Sequence, residues 1–314
     1  AKAAPVSTPS PSSPGDYGIT WQSIPAVSTH DFVVGPGKIE LSLQPGQSAT
    51  VQLSVANRTG SDKAFSIGEE DFKGTDDPEQ AVVLLGDDRG PYSLKDYMKI
   101  PVSAVLVPND QKAYIPITIT VPADAAPGGL YGSVVVAVAT SPGSEAPAPG
   151  SATASNPIVT RIGTLFFVRV PGAVDQSGQL TGFSIAGGRT FFSGSQPLPF
   201  DLTYKNDGSV YLDPHGTIAV KNMLGATVSS IEVDPWFAMP ASTRFREVLW
   251  NPPFLFGRYT AIAAIDRGYG SSTDVMSVSF WVIPWKIIAI IVAGLFVIIF
   301  GARWLLSRFK ITRR

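Results

Sequence analysis

The chain has 314 residues, with 24 Lys and Arg, 25 Asp and Glu, and no cysteine. The lack of cysteine excludes disulfides, thiolate metal sites and cysteine nucleophiles, so any folded part must be stabilised by burial of its core. Residues 1–285 hold 18 basic and 25 acidic residues, a net charge of −7, which argues against nucleic acid as a partner.

The first residues, "AKAAPVSTPSPSSPGD", are rich in Pro and Ser and do not begin with Met. This composition predicts a disordered extracellular tether over residues 1–27, left after removal of an export signal. About 260 residues then precede the apolar C-terminal segment, which suits two domains that each bury a core.

The next segment shows strict alternation of apolar and polar residues. In "KIELSLQPGQSATVQLSVAN" the alternation runs on both sides of a Pro45-Gly46 turn, and it returns in "AYIPITITV", "LYGSVVVAVA" and "TLFFVRV". Alternation with period two predicts half-buried antiparallel strands. We therefore expect a first β-sandwich over residues 28–172, with a low-complexity loop at 141–157 inside it.

A hinge is predicted near 171–179, where Pro and Gly coincide with the loss of alternation. Alternation resumes in "PLPFDLTY", "HGTIAVKN", "RYTAIAAI" and "MSVSFWVI", which predicts a second sandwich over residues 178–283. The fold class expected is all-β, with two tandem immunoglobulin-like β-sandwich domains and one C-terminal transmembrane α-helix.

A short internal repeat links the two domains. "QSATVQLSVANRTGS" and "QPLPFDLTYKNDGS" align Leu53 with Leu202 and Asn57 with Asn206. One interpretation is duplication of a sandwich. The other is that many sandwich strands end in an Asn-led turn, because Asn bonds its own turn and tolerates positive φ.

Residues 284–306 are almost entirely apolar, and about 20 such residues span a bilayer core of roughly 30 Å. The basic tail 307–314 is predicted to be cytoplasmic and both sandwiches extracellular, because short basic flanks stay inside. Aromatic and basic side chains at the ends of the helix suit the membrane interfaces. The interface residues this predicts are Trp281, Trp285, Lys286, Arg303, Trp304 and Arg308.

The order of these parts resembles the WxL-interacting protein family of Gram-positive cell surfaces. The motif that carries most of the resemblance is Val121-Pro122 followed by Gly128-Gly129-Leu130-Tyr131-Gly132, a proline-ended strand and a glycine-rich entry to the next one. The resemblance implies a peptidoglycan-binding first domain and a partner- or host-binding second domain, acting with secreted WxL proteins. It transfers no binding residues to this chain.

Chemistry is sparse. The two histidines, His30 and His215, are far apart in sequence, and no nucleophile-elbow, zincin or P-loop pattern occurs. Acid-rich stretches at 69–79 and 86–90 fit solvated loops, a carboxylate pair or calcium ligands, although neither has EF-hand spacing. We predict no cofactor and no metal. The triplet Asn57-Arg58-Thr59 is formally a glycosylation sequon.

The segment "DPWFAMPAS" places Trp236, Phe237 and Met239 between two prolines. These residues either form a partner-binding anchor or fold back as a lid over the second core. The expected function is a membrane-anchored, non-catalytic surface protein that binds cell-wall polymer, exported proteins or both. One alternative is an extracytoplasmic assembly chaperone that lends a sheet edge to an exported subunit, and a weaker one is a cell-wall carbohydrate hydrolase.

Overall fold

The structure is a computed structural model that describes residues 17–26, 29–139, 160–193, 197–252 and 255–308. The predicted loop 141–157, most of the tether and the tail beyond 308 lie outside these residues. The described chain is all-β with one C-terminal helix, as the alternation predicts. It divides into two compact units, Ala1–Lys73 with Val82–Val174, and Gly74–Ala81 with Asp175–Arg314.

The strands that precede residue 174 are β1 Thr20–Ser23, β2 Asp31–Gly35, β3 Lys38–Ser42, β4 Ser48–Arg58, β5 Lys63–Glu70, β6 Phe72–Gly74, β7 Val82–Leu84, β8 Met98–Lys99, β9 Ala104–Val107, β10 Gln111–Thr120, β11 Gly128–Val138 and β12 Arg161–Val170. One sheet has the order β1-β10-β4-β2, with β8 also paired to β10, and the other has the order β3-β12-β11-β5-β9. Among the described strands of these two sheets, β3 alone pairs in parallel, with β12. The strands β6 and β7 form a separate pair.

The first core lies between the inward faces of these two sheets. Alternate residues of β10, among them Ile115, Ile117 and Ile119, are fully buried, and they pack with Val134 and Val136 of β11. The period-two pattern of the sequence therefore describes the burial of this unit correctly.

β1 corrects the sequence-based expectation for the N-terminal segment. Thr20–Ser23 pairs antiparallel with β10, from Thr20 opposite Tyr114 to Ser23 opposite Gln111. The prediction of a disordered tether is wrong for these four residues. The reason is that the Pro and Ser content of the preceding residues hides a short strand, which a neighbouring strand stabilises through backbone hydrogen bonds.

The second unit holds β13 Gly178–Ile185, β14 Phe191–Phe192, β15 Leu198–Asn206, β16 His215–Asn222, β17 Thr227–Val233, β18 Ser242–Trp250, β19 Gly257–Asp266, β20 Thr273–Val282 and the helix α1 Trp285–Arg308. Its two sheets have the orders β13-β15-β18 and β14-β20-β19-β16-β17. The unit also includes residues 74–81, which the alternation pattern had assigned to the first domain.

Aromatic rings fill the second core. The rings of Phe200, Trp250 and Phe280 lie with centroids 6.0 to 6.4 Å apart, and Phe280 also stacks on Tyr259 at 5.8 Å. Each of these side chains removes a large apolar area from water, which is the main stabilising contribution in a unit that has no disulfide.

Candidate functional site

The two asparagines that the sequence repeat aligns occupy equivalent corners. Asn57 is the penultimate residue of β4 and Asn206 the last residue of β15, and both are fully buried. The Asn57 amide Nδ2 donates to the carbonyl of Ser61 at 2.9 Å and to that of Val107 at 2.8 Å. The Asn206 amide donates in the same way to Val210 at 2.9 Å and to Ala238 at 2.8 Å.

The accepting oxygens of these side chains are equivalent too. The Oδ1 atom of Asn57 accepts from the backbone N–H of Thr59 at 3.0 Å, and that of Asn206 from Gly208 at 2.9 Å. Each asparagine therefore ties its own turn to a carbonyl of a distant segment. This shared bonding pattern supports duplication of one sandwich plan, because a turn-capping role alone requires only the local bonds.

The same bonds determine whether the sequon at Asn57 is accessible for glycosylation in the folded protein. Its amide nitrogen is buried and donates both of its hydrogens, and the Thr59 hydroxyl donates to the Asn57 Oδ1 at 2.8 Å. In the folded protein this nitrogen is not accessible for attachment of a sugar, so the triplet has a structural role.

The glycine-rich motif is also structural. Tyr131 is fully buried between Phe72, Phe167 and Tyr92, with ring centroids 5.7 to 6.0 Å away. A Cβ on Gly129 would collide with the Tyr131 hydroxyl, and one on Gly132 would lie 3.0 Å from the Cβ of Leu94. These glycines let the tyrosine ring and a neighbouring segment approach β11.

Pro122 and Gly128 of the motif lie where one strand ends and the next begins. The Pro122 carbonyl accepts the backbone N–H of Gly46 at 3.1 Å, which holds the Pro45-Gly46 turn against the end of β10. Gly128 has φ of +159° and opens β11 opposite Val170. These five residues of the motif thus shape the fold of the first unit.

The acid-rich stretch 69–79 contains a buried carboxylate, Asp71, which is fully buried. Its Oδ2 accepts the backbone N–H of Gly90 at 3.0 Å, and its Oδ1 accepts those of Leu94 at 3.1 Å and Lys95 at 3.0 Å. Three backbone donors satisfy this carboxylate, which therefore organises the loop around it. Nearby, Glu70 forms an ion pair with Arg161.

The remaining candidates for chemistry do not converge. His30 lies exposed before β2, and His215 is exposed at the start of β16, with its Nδ1 3.0 Å from the carbonyl of Asp213. Within the described ranges no group of three or more His, Cys, Asp or Glu side chains could hold a metal ion.

The segment at Trp236 packs onto the second core. Trp236 is 5% exposed and Met239 1% exposed, and the Trp236 indole meets the Tyr204 ring edge-on at 6.3 Å. Phe237 is half-buried, with the Arg244 guanidinium 5.7 Å from its ring. Ala238, which lies between Phe237 and Met239 in sequence, forms an isolated antiparallel β-bridge with Leu212. This placement agrees with the lid interpretation, and it leaves Trp236 and Met239 without the exposed area that a partner anchor needs.

An ion pair closes one edge of the second unit. Arg267 Nη2 lies 2.6 Å from Asp274 Oδ1, and the other oxygen of Asp274 accepts the backbone N–H of Leu180 in β13 at 2.7 Å. The hydrogen bond to Asp274 raises the pKa of Arg267. Burial raises the pKa of the Tyr204 phenol, whose hydroxyl donates to the Arg267 carbonyl at 2.9 Å.

The edges of the second unit differ in how they are protected. β13 is covered at Leu180 by Asp274 and at Gly178 by the Tyr269 hydroxyl, 3.0 Å from its N–H. β18 carries Arg244, Arg246 and Glu247, and its Thr243 N–H donates to Asp76 Oδ1 at 2.6 Å. β14 has only two residues. Charges, side-chain caps and short length are the usual protections of an edge strand.

β17 has fewer of these protections, although its pairing with β16 has one irregularity, which passes over Val228. This edge strand, Thr227–Val233, has seven residues, no proline and one charged residue, Glu232. It pairs with β16 on one side only, and Val228 is 45% exposed. The amino-acid pattern does not show that this strand lies at an edge, because edge position depends on the pairing of β16 with β19.

The residues predicted to lie at the membrane interfaces are found at and near the two ends of α1. α1 has a mean hydropathy of 2.5 over its most apolar window, which is not buried in the protein, so its length and composition suit a membrane span. Trp285 and Lys286 begin the helix, and the Arg308 guanidinium lies 5.2 Å from the Trp304 ring. Trp281 precedes it at the end of β20 and is 41% exposed. Arg303, also exposed, lies one residue before Trp304.

No protein-family model matches this sequence, and no curated protein is significantly similar to it. Solved structures with a similar arrangement of strands include the class 5 fimbriae chaperone CfaA, with 12% identity, a TM-score of 0.37 and coverage of 79% of this chain and 98% of that one. The E. coli chaperone DraB has 13% identity, a TM-score of 0.36 and coverage of 78% and 98%. The CsuC-CsuE chaperone-tip adhesion subunit pre-assembly complex from Acinetobacter baumannii has 10% identity, a TM-score of 0.36 and coverage of 79% and 97%.

Proposed function

We propose that this chain is a non-catalytic, membrane-anchored protein that binds exported protein partners outside the cell and pairs a partner strand with β17. The observation that carries the proposal is the β17 edge, a seven-residue strand that has one charged residue and pairs on one side only. This is the assembly-chaperone alternative of the sequence analysis, with a specific strand assigned to the binding.

An edge strand presents every second backbone N–H and C=O group away from its sheet, and an extended peptide can pair with these groups. Seven residues allow several such backbone bonds. Val228, Ser230 and Glu232 are exposed along the strand, and alternate side chains of this kind give specificity for the partner. Because the strand has one charge, no large desolvation cost opposes pairing.

The anchor is α1, whose 24 residues are about 36 Å long at 1.5 Å per residue, enough to cross the hydrocarbon core with some tilt. The positive residues that follow it favour a cytoplasmic C-terminus. With that orientation, β17 meets proteins as they leave the membrane.

Binding of peptidoglycan or another wall polymer stays a second proposal, supported only by the resemblance to WxL-interacting proteins. The residues that carry the resemblance lie in the core and turns of the first unit, as Tyr131 and Gly129 show. They support the fold of that unit and present no polymer-binding surface.

A retention experiment with the full-length protein in detergent tests both proposals. We expect Val228→Lys with Ser230→Lys to abolish retention of exported proteins from the producing cell, since lysines on an edge strand oppose strand addition. A matched control is Thr217→Lys, at an exposed position of β16 that is paired on both sides, with Glu232 of β17 and Ala264 of β19. It should leave retention unchanged.

Equal retention by the β17 variant, the control and the unsubstituted protein would show that β17 is not the binding strand. A parallel arm uses purified wall sacculi. If both lysine variants still sediment with the sacculi, this result would support polymer binding through a surface other than β17. Circular dichroism melting of each variant confirms that the comparison is between folded proteins.

A further inference from the structure

Exposed apolar side chains of the second unit concentrate at one end of it. Outside α1, the described residues of this unit with large exposed apolar side chains are Phe191, Met223, Leu224, Val228, Leu249, Phe256, Val275, Trp281 and Ile283. They come from five separate stretches of sequence, so no local pattern joins them. All except Val275 lie at the end from which α1 leaves, called here the helix-proximal end.

Strand directions establish this placement in the larger sheet. β20 runs toward α1, and β19 begins there, with Gly257 opposite Val282. β14 runs parallel to β20 and puts Phe191 opposite Trp281. β16 ends at the same level, with Asn222 opposite Tyr259.

The tip of the β16–β17 hairpin therefore lies at the helix-proximal end. A Cβ on Gly257 would come within 2.7 Å of the Met223 Cε, which confirms that the tip reaches the start of β19. Leu224, at this tip, is 87% exposed. In the other sheet Leu249 lies next to Trp250, which packs on Phe280 near the end of β20.

The outer face of the sheet changes character toward this end. Thr260 and Ser279 face each other there, with hydroxyls 3.0 Å apart. One row closer to α1, Arg258 lies opposite Trp281, and Phe191 lies on its other side. Side chains opposite each other in a ladder share a face. On this face, the row of hydroxyls is therefore followed directly by a row that contains aromatic rings.

Basic residues predominate at this end, and the acid that reaches it is Asp201, whose Oδ2 accepts the backbone N–H of Gly187 at 2.9 Å. The segments 186–193, 219–228, 248–260 and 279–286 contain Arg189, Lys221, Arg258 and Lys286 but no Asp or Glu, although residues 1–285 are acidic overall. Acids begin deeper along the strands: Asp201 pairs with Glu247, two residues beyond the pair of Pro199 with Leu249. Basic and aromatic side chains together are typical of a surface that contacts anionic lipid.

We propose that the helix-proximal end lies in the headgroup layer of an anionic lipid membrane, with Phe191, Leu224, Phe256 and Trp281 inserted and the basic residues facing lipid phosphates. This inference rests on the membrane anchoring proposed above. Trp281 precedes the first helical residue by four positions, a reach of at most about 14 Å, so this surface is bound to stay near the bilayer that α1 crosses. β17 starts at this end and runs away from the bilayer.

The test uses single-cysteine variants of the full chain, which has no cysteine of its own. Leu224→Cys, Val275→Cys and Val297→Cys are each labelled with an environment-sensitive fluorophore and reconstituted in vesicles of phosphatidylcholine and phosphatidylglycerol. Vesicles with nitroxide-labelled lipids then report contact with lipid. We expect the probe at 224 to lose most of its emission to shallow nitroxides. The probe at 275, equally apolar and 65% exposed at the opposite end, should lose none.

The probe at Val297→Cys, within α1, distinguishes a failure of the headgroup inference from a failure of the proposed membrane anchoring. If this probe is quenched by deep nitroxides while the probe at 224 is not, the headgroup inference is wrong and the anchoring stands. If the probe at 297 is not quenched, the anchoring itself fails. A blue-shifted emission at 224 without lipid quenching would indicate a protein neighbour, such as a second copy, and would also overturn the inference.

Discussion

Replacement of Asn57 or Asn206 by alanine is expected to destabilise the unit that contains it by about 3 kcal/mol or more. Each change removes at least three hydrogen bonds, each worth about 0.5–1.5 kcal/mol net, and leaves a backbone N–H of the turn without its acceptor. Asn57 loses its bonds to Ser61 and Val107, and Asn206 those to Val210 and Ala238. Hydrogen exchange measured by mass spectrometry locates the loss of stability, and urea unfolding gives its size.

Replacement of either asparagine by aspartate is a more specific test of the amide donor. It keeps the accepting oxygen but places a carboxylate against two carbonyl oxygens in a buried site, so we expect at least as large a loss as with alanine. The exposed Asn251→Ala serves as control and should change stability by less than about 0.5 kcal/mol. Faster exchange confined to β4 in one variant and to β15 in the other is expected. A cost at one corner but not at the other would contradict their equivalence.

Asp71→Ala is expected to destabilise the first unit by about 3 kcal/mol, because three backbone donors at Gly90, Leu94 and Lys95 lose a charged acceptor. Asp71→Asn should cost less. Its remaining oxygen still accepts from Leu94 and Lys95, while its amide opposes the Gly90 N–H. The control is Asp88→Ala, an exposed acid in the neighbouring acid-rich stretch.

Urea melting with an intrinsic fluorescence signal ranks these three variants. We expect Asp71→Ala to lose the most stability and Asp71→Asn to lose less, while Asp88→Ala should lose almost none. If the losses at 71 and 88 were equal, the acidic stretch would be a solvated loop without an organising carboxylate.

The sequence predicts the sandwich cores well because burial alternates along each strand, and a half-buried strand has few other ways to satisfy that pattern. It also predicts the paired corners. Asparagine combines a donor for two carbonyls with an acceptor for its own turn, so Asn57 and Asn206 carry a signal that a short alignment can detect.

The binding surfaces are not predictable in the same way. β17 is an edge only because β19 and β20 occupy the other side of β16, and the helix-proximal end joins residues as distant in sequence as Phe191 and Trp281. For Trp236, composition leaves two interpretations open, and its packing against Tyr204 favours the lid. Pairing between distant segments, which period and composition do not encode, decides each of these cases.

Orientation in the membrane is the claim on which partner binding, wall contact and insertion of the helix-proximal end all depend. Single-cysteine variants at Ser230, in β17, and at Thr312, in the basic tail, test it with a membrane-impermeant maleimide on intact, wall-stripped cells. The account predicts labelling of Ser230→Cys in intact cells and of Thr312→Cys only after lysis. Labelling at 312 in intact cells, with protection of 230 until lysis, would contradict it.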